Sequence, residues 1–301
     1  MTEPKPDLFP GFESHHFATQ GAEIFARVAG EGPTLFLLHG YPQTHAIWHR
    51  VAPKLAGRFR LIIPDLRGYG ASSIPQTVPD HSTMSKRAMA RDIIDIADQL
   101  GLPSFFLCGH DRGGRVAYRL ALDHPQRVAR LMTLDIVPTW DMWHRMTRDL
   151  AMKSFHWSFM AQPFPWPEEM IGRDPVGWLN HKLALWGGSG DLSVFAAEAL
   201  AEYRAFFSEP ARIHATCEDY RAGATYDLAA DEADRAAGRR ITCPTAVYWG
   251  DKGIPGETGG PLPIWREWCD TVTGGSIACG HFLPEEAPED TASKILDFFG
   301  K

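Results

Sequence analysis

At 301 residues and 44% hydrophobic, the chain is long enough to bury a sizeable core in one large domain, or in one domain carrying an insertion. A formal net charge of −7 and the lack of any run of basic residues exclude non-specific nucleic-acid binding, and no apolar run approaches the roughly 20 residues that span a bilayer. The five cysteines are scattered with no Cys-x-x-Cys pair and the N-terminus carries no apolar signal segment, so the expectation is a cytoplasmic protein with reduced thiols, Cys108 in the core, and no disulfide framework, metal or other cofactor.

Along the chain, Thr34 to Leu38 reads as a strand ending in His39-Gly40-Tyr41-Pro42, and Arg60 to Ile63 as a strand ending in Pro64-Asp65-Leu66-Arg67-Gly68-Tyr69-Gly70. Lys86 to Leu100 carries Met89, Ile93, Ile96 and Leu100 on one helical face. Phe105 to Cys108 is a short apolar run, Arg115 to Leu122 has helical spacing, and Leu131 to Ile136 is a strand stopped by Pro138. Strand and helix in alternation predict an α/β fold with a mainly parallel, doubly wound sheet. The rhythm breaks after Thr139. From Trp140 to about Arg239 no strand is evident, and six of the ten tryptophans fall between Trp140 and Trp186, which predicts a helical insertion. Sheet character returns at Cys243–Gly250 and Gly275–His281, and a helix from Thr291 to Phe299 closes the chain. The expected division is 1–139 core, 140–239 helical cap, and 240–301 core.

Gly109-His110-Asp111-Arg112-Gly113-Gly114 joins a strand to a helix through a glycine-flanked turn, the pattern of a nucleophile elbow. Its nucleophile slot holds Asp111 in place of Ser. Asp111 can be read as a helix cap or as a carboxylate that attacks saturated carbon and leaves an alkyl ester for water to cleave. Ester cleavage needs a base just past a late strand. Of thirteen histidines, His281 stands there. The base needs an acid partner. In Trp249-Gly250-Asp251-Lys252-Gly253 the usual acid position is Gly253, so the role goes to Asp135, at the end of the strand after the elbow helix, with Asp251 as the fallback. Arg112 and Arg115, three residues apart on one helix, fall on the same side beside Asp111, where they can lower its pKa, bind a substrate carboxylate, or form surface salt bridges.

The chain resembles the α/β-hydrolase fold family with an inserted helical cap, and within it the haloacetate dehalogenases, especially the fluoroacetate dehalogenases. The match rests on His39-Gly40-Tyr41-Pro42-Gln43-Thr44, Asp65 to Gly70, Gly109 to Arg115, Gly280-His281-Phe282-Leu283-Pro284-Glu285, and, in the insertion, His156-Trp157, Asp191-Leu192-Ser193 and Glu218-Asp219-Tyr220-Arg221-Ala222. The resemblance implies a small anionic haloacid substrate. Asp111 would displace halide, and His281 with Asp135 would activate water. Arg112 and Arg115 would hold the carboxylate, and His156, Trp157 and Tyr220 would bind halide. Backbone N–H groups of Tyr41 and Arg112 would form the oxyanion hole, and Trp186 and Ile254 would line the pocket. It also implies a homodimer. Tyr41 departs from the Phe common at its position, and the loop after Gly250 is unusually charged. Epoxide hydrolases and haloalkane dehalogenases share the Asp nucleophile but typically carry Trp after it, so Arg112 argues against both. A non-catalytic receptor on this fold would not need Asp111.

Overall fold

The structure, a computed structural model, describes residues 7–253, 255 and 259–300. Eight strands form one sheet in the order β1-β2-β4-β3-β5-β6-β7-β8. They are β1 Glu13–Thr19, β2 Ala22–Ala29, β3 Thr34–Leu38, β4 Arg60–Pro64, β5 Phe105–His110, β6 Val128–Leu134, β7 Thr245–Gly250 and β8 Val272–Ile277. The β1–β2 and β2–β4 pairs are antiparallel and every other neighbouring pair is parallel.

Burial on both faces explains the uninterrupted apolar strands. In β3 every residue is buried. Phe36 and Leu38 pack with Met89, Ile93 and Val116 on one face, and Leu35 and Leu37 with Trp48, Val51 and Ile295 on the other. The two-residue period divides a single apolar run between two cores. The helices Lys86–Gln99 and Arg112–Asp123 cover the first face, and Pro288–Phe299 lies on the second.

Several boundaries differ from expectation. The first hairpin, β1–β2, was not foreseen, because its strands are edge elements with many exposed polar positions. β8 begins at Val272 and ends at Ile277, so Ala278 to His281 form a loop. β6 ends at Leu134, which puts Asp135 just beyond the strand. Between Thr139 and Ala236 the described elements are all helical, from Thr139–His144 to Tyr226–Ala236. No helix among the described residues is long and apolar enough to cross a membrane.

The chain moves from β4 to β5 across β3, so the direction of winding reverses between β3 and β5. The ends of strands that part at such a point leave a crevice for a ligand. Gly40 and Tyr41 follow β3 there, and Asp111 follows β5.

Candidate active site

Asp111 sits at φ +46°, ψ −117°, a conformation costly for a residue with a side chain. The turn tolerates it because its neighbours are minimal. A Cβ on Gly109 would lie 2.3 Å from the Gly113 carbonyl oxygen, and one on Gly113 would lie 2.3 Å from that of His39. The Asp111 side chain makes no capping bond to its own helix. Its Oδ1 instead accepts from the Tyr41 backbone N–H at 2.9 Å, across the switch point. The helix-cap reading therefore fails.

His281 Nδ1 lies 2.6 Å from Asp135 Oδ2, and Asp135 Oδ1 accepts from the Gly250 N–H at 2.9 Å. Two hydrogen bonds thus fix the carboxylate that fixes the imidazole. His281 Nε2 stands 3.9 Å from Asp111 Oδ2, too far for a direct hydrogen bond. His110 Nε2 donates to the His281 carbonyl at 2.7 Å, and the His281 N–H donates to the Trp186 carbonyl at 2.9 Å, so elbow and cap both hold the histidine loop. Asp251 is exposed and is not the His281 partner. The structure also accounts for Gly253: a Cβ there would lie 2.6 Å from Asp135 Oδ1, so the Asp135 carboxylate fills the space beside it.

The charges are arranged unequally. Burial alone would raise the Asp111 pKa, but His281, His110, Arg115 and Arg112 outweigh it and hold the carboxyl below its ordinary value. Burial would lower His281, but its bond to Asp135, and the charges of Asp135 and Asp111, raise it. Asp135 is raised by burial in spite of its bond to His281.

The two arginines have different surroundings. Arg112 is fully buried and donates to Asp219 from Nε at 2.9 Å and to the Asp219 carbonyl from Nη2 at 2.8 Å; only Nη1 lacks a partner. Asp219 also receives Tyr69 Oη at 2.8 Å and the Lys86 ammonium. Arg115 donates from Nη1 to the Val137 carbonyl at 2.7 Å, while its buried Nε has no partner. Among the described residues no carboxylate forms an ion pair with Arg115. Arg115 lines the cavity beside Asp111, whereas Arg112 packs behind it, 4.3 Å from the Tyr220 ring centroid.

A cavity of about 340 Å³ opens on Asp111, Arg115, His281, His156, Trp157 and Trp186. The Tyr220 ring packs edge-on against those of His156 and Trp157, at 5.4 and 5.8 Å. The cavity continues past Met142 and Leu150 to Ile264. Tyr41 Oη accepts from Trp178 Nε1 at 2.7 Å, a bond that a Phe at this position could not make. Ile254 lies outside the described residues. The sequence reading missed Lys86 and gave Asp219 no role, although Asp219 stands beside Tyr220. Pairings 133 and 107 residues apart have no local signal.

A strained turn after the central strand carrying an acid, with a histidine and a second acid on later strand ends of a mainly parallel sheet, is one fold's arrangement. An alpha/beta hydrolase fold family model matches residues 33–288. The chain belongs to the α/β-hydrolase fold family. It is a hydrolase of that fold, and its relatives include enzymes of more than one substrate class. It is 42% identical to the fluoroacetate dehalogenase of a Burkholderia species over 97% of this chain and 95% of that protein. It is 34% identical to the soluble epoxide hydrolase of Corynebacterium sp. strain C12, over 95% and 97%. Among solved structures, an α/β-hydrolase from Nostoc sp. PCC 7120 is 50% identical with a TM-score of 0.93, covering 96% of this chain and 98% of that one.

Proposed function

We propose that this hydrolase cleaves the carbon–halogen bond of a haloacetate, with fluoroacetate as the leading candidate, giving glycolate and halide. The observation that carries the reading is Arg115, a buried guanidinium beside the nucleophile with an unpartnered Nε and no carboxylate paired to it among the described residues. Such a cation is strongly disfavoured in the empty site, and a substrate carboxylate would supply the missing counter-charge. A neutral epoxide would leave it unpaired. The likeness to the Burkholderia enzyme supports the same reading.

In this mechanism the substrate carboxylate binds Arg115 and Nη1 of Arg112. An Asp111 carboxylate oxygen attacks the α-carbon, and the carbon–halogen pair leaves with the halide. His156, Trp157 and Tyr220 would present N–H and O–H donors to that developing charge in a site walled by aromatic rings. Esterification removes the Asp111 charge that helps to keep His281 protonated, so the imidazole is freed of its proton and available as the base when it is needed. His281 then takes a proton from water, whose oxygen attacks the Asp111 carbonyl carbon. The oxyanion would meet the Tyr41 and Arg112 N–H groups, collapse expels the glycolate alkoxide, which receives the proton from His281, and the Asp111 carboxyl returns to its ionised form by releasing the second water proton to solvent. Asp135 holds the imidazolium throughout. In this reading the enzyme works as a cytoplasmic homodimer.

The test is incubation with fluoroacetate, chloroacetate and styrene oxide, following halide and diol. Halide release supports the reading, and diol without halide refutes it. One turnover in ¹⁸O-water should put the label in Asp111, with the glycolate unlabelled.

A further inference from the structure

Lys182 lies inside the helix Pro175–Trp186 and is fully buried. Its Nζ sits 3.7 Å from the centroid of the Phe155 ring, 4.6 Å from that of Trp178 and 5.6 Å from that of Trp186. Ring faces attract a cation, but Nζ has no hydrogen-bond partner, and among the described residues no carboxylate pairs with it. Burial pulls its pKa down to about 7. A methionine would fill the same cage without the desolvation penalty, so packing does not account for the charge.

The cage adjoins the halide side of the cavity. Phe155 immediately precedes His156, and Trp186, one helical turn beyond Lys182, packs its ring 4.5 Å from that of His156. His156 lines the cavity, yet its Nδ1 is buried without a partner, so Nε2 is the ring nitrogen left to address a ligand. The groups facing His156 are Lys182 from the cap, Arg112 and Arg115 from the elbow helix, His281 from the loop after β8, and the phenol rings of Tyr41 and Tyr220. None is an anion. Burial first, then Lys182, hold the His156 pKa well below its ordinary value.

A neutral imidazole has two tautomers. With the proton on Nδ1, Nε2 would turn a lone pair toward a departing halide and repel it. We propose that Lys182 is a positioning residue whose charge, on the closed side of His156, keeps that ring neutral with its lone pair on Nδ1 and its N–H on Nε2. A cation favours the tautomer that turns a lone pair toward it, and it opposes a second cation nearby. The proposal rests on the reading of His156 as a halide donor.

The test uses ¹⁵N-histidine-labelled protein, with the His156 ring signals assigned by their loss in His156→Gln. Spectra of the wild type, Lys182→Met and Lys182→Arg are recorded from about pH 5.5 to 8.5. Lys182→Arg should hold the Nε2–H form throughout, and the wild type should hold it at the acid end and lose part of it as Lys182 discharges above about pH 7. Lys182→Met should show mixed tautomers, with imidazolium at the acid end. In turnover of fluoroacetate, Lys182→Met should lower kcat about tenfold, leave KM within about twofold, and lose more as the pH falls. An unchanged His156 pattern in Lys182→Met overturns the proposal. So does a wild-type ring protonated on Nδ1 at the acid end, where Lys182 is charged, a result that needs no variant to fold. Because the spectra require no turnover, absence of halide release with the expected pattern refutes the dehalogenase reading and leaves the coupling of Lys182 to His156 standing.

Discussion

Arg112 and Asp219 are joined through two groups, the Asp219 side chain receiving Nε at 2.9 Å and its main-chain carbonyl receiving Nη2 at 2.8 Å. Asp219 belongs to the cap helix Pro210–Ala224 and Arg112 to the elbow, so the residue beside the nucleophile is oriented from the cap. Lys86, at the start of a core helix, closes the cluster from below. The arginine that the motif makes conspicuous is therefore charge-paired within the protein, with only Nη1 left over, whereas Arg115 has no carboxylate partner among the described residues.

Asp219→Asn should leave Arg112 and Lys86 without their counter-ion. Breaking a buried pair by removing one partner costs about 3–5 kcal/mol, which urea unfolding would read as a lower midpoint with an unchanged slope. Burial opposes the Asp219 charge, but Arg112 and Lys86 hold its carboxyl below the usual range. Its contribution is therefore complete above the unfolded value of about 4 and is lost as the pH falls through the lower folded value. The variant should lack that part of the acid dependence. An equal midpoint at neutral pH would show that the cluster does not orient Arg112 as described.

The pKa directions separate the two chemical steps. Asp111 is lowered and stays a nucleophile in acid, while His281 is raised and is protonated first as the pH falls. At about pH 5.5, below the ordinary histidine value, attack should outrun ester hydrolysis. Mass spectrometry after mixing with a haloacetate should then find the Asp111 peptide carrying the substrate, and the adduct should disappear on return to neutral pH. His281→Asn should hold the same adduct at every pH. No adduct in either case would exclude a two-step route.

Gly253 tests the placement of the acid. A methyl group there would lie 2.6 Å from Asp135 Oδ1, on the carboxylate that orients His281. Gly253→Ala should displace Asp135 and lower kcat by about 10- to 100-fold, an effect on base orientation that leaves the attacking carboxylate in place. The ester should accumulate, and thermal unfolding should shift little. Wild-type kcat would mean that the acid tolerates the displacement.

The parallel core was legible because β3, β4 and β5 are buried on both faces and therefore apolar in sequence. The strained elbow was legible because only small residues let it close. The pairing of Asp135 with His281 was readable by elimination, from a glycine at the usual acid position, and the Asp135 carboxylate fills the space beside that glycine. The β1–β2 hairpin was not legible, since edge strands alternate weakly. Neither was the division of Arg112 and Arg115 into a carboxylate-paired and an unpaired guanidinium. That division depends on Asp219, a hundred residues downstream, and helical spacing records which residues share a side but not which already have a partner.

Arg115→Met isolates the anionic-substrate reading. The change keeps the long apolar stem, which packs with its guanidinium carbon 4.4 Å from the Trp157 ring centroid, and removes the charge. It also removes the donor to the Val137 carbonyl, so Arg115→Lys serves as a control that restores charge without the fork. Charge-assisted hydrogen bonds contribute about 1.5–3 kcal/mol each, so kcat/KM for a haloacetate should fall about 10- to 100-fold or more, chiefly through KM. Glycolate binding, followed by calorimetry, should weaken in parallel. Lysine should restore part of both. If Arg115→Met bound glycolate as tightly as the wild type, the unpaired guanidinium would not be the carboxylate site, and a neutral substrate would fit this cavity better.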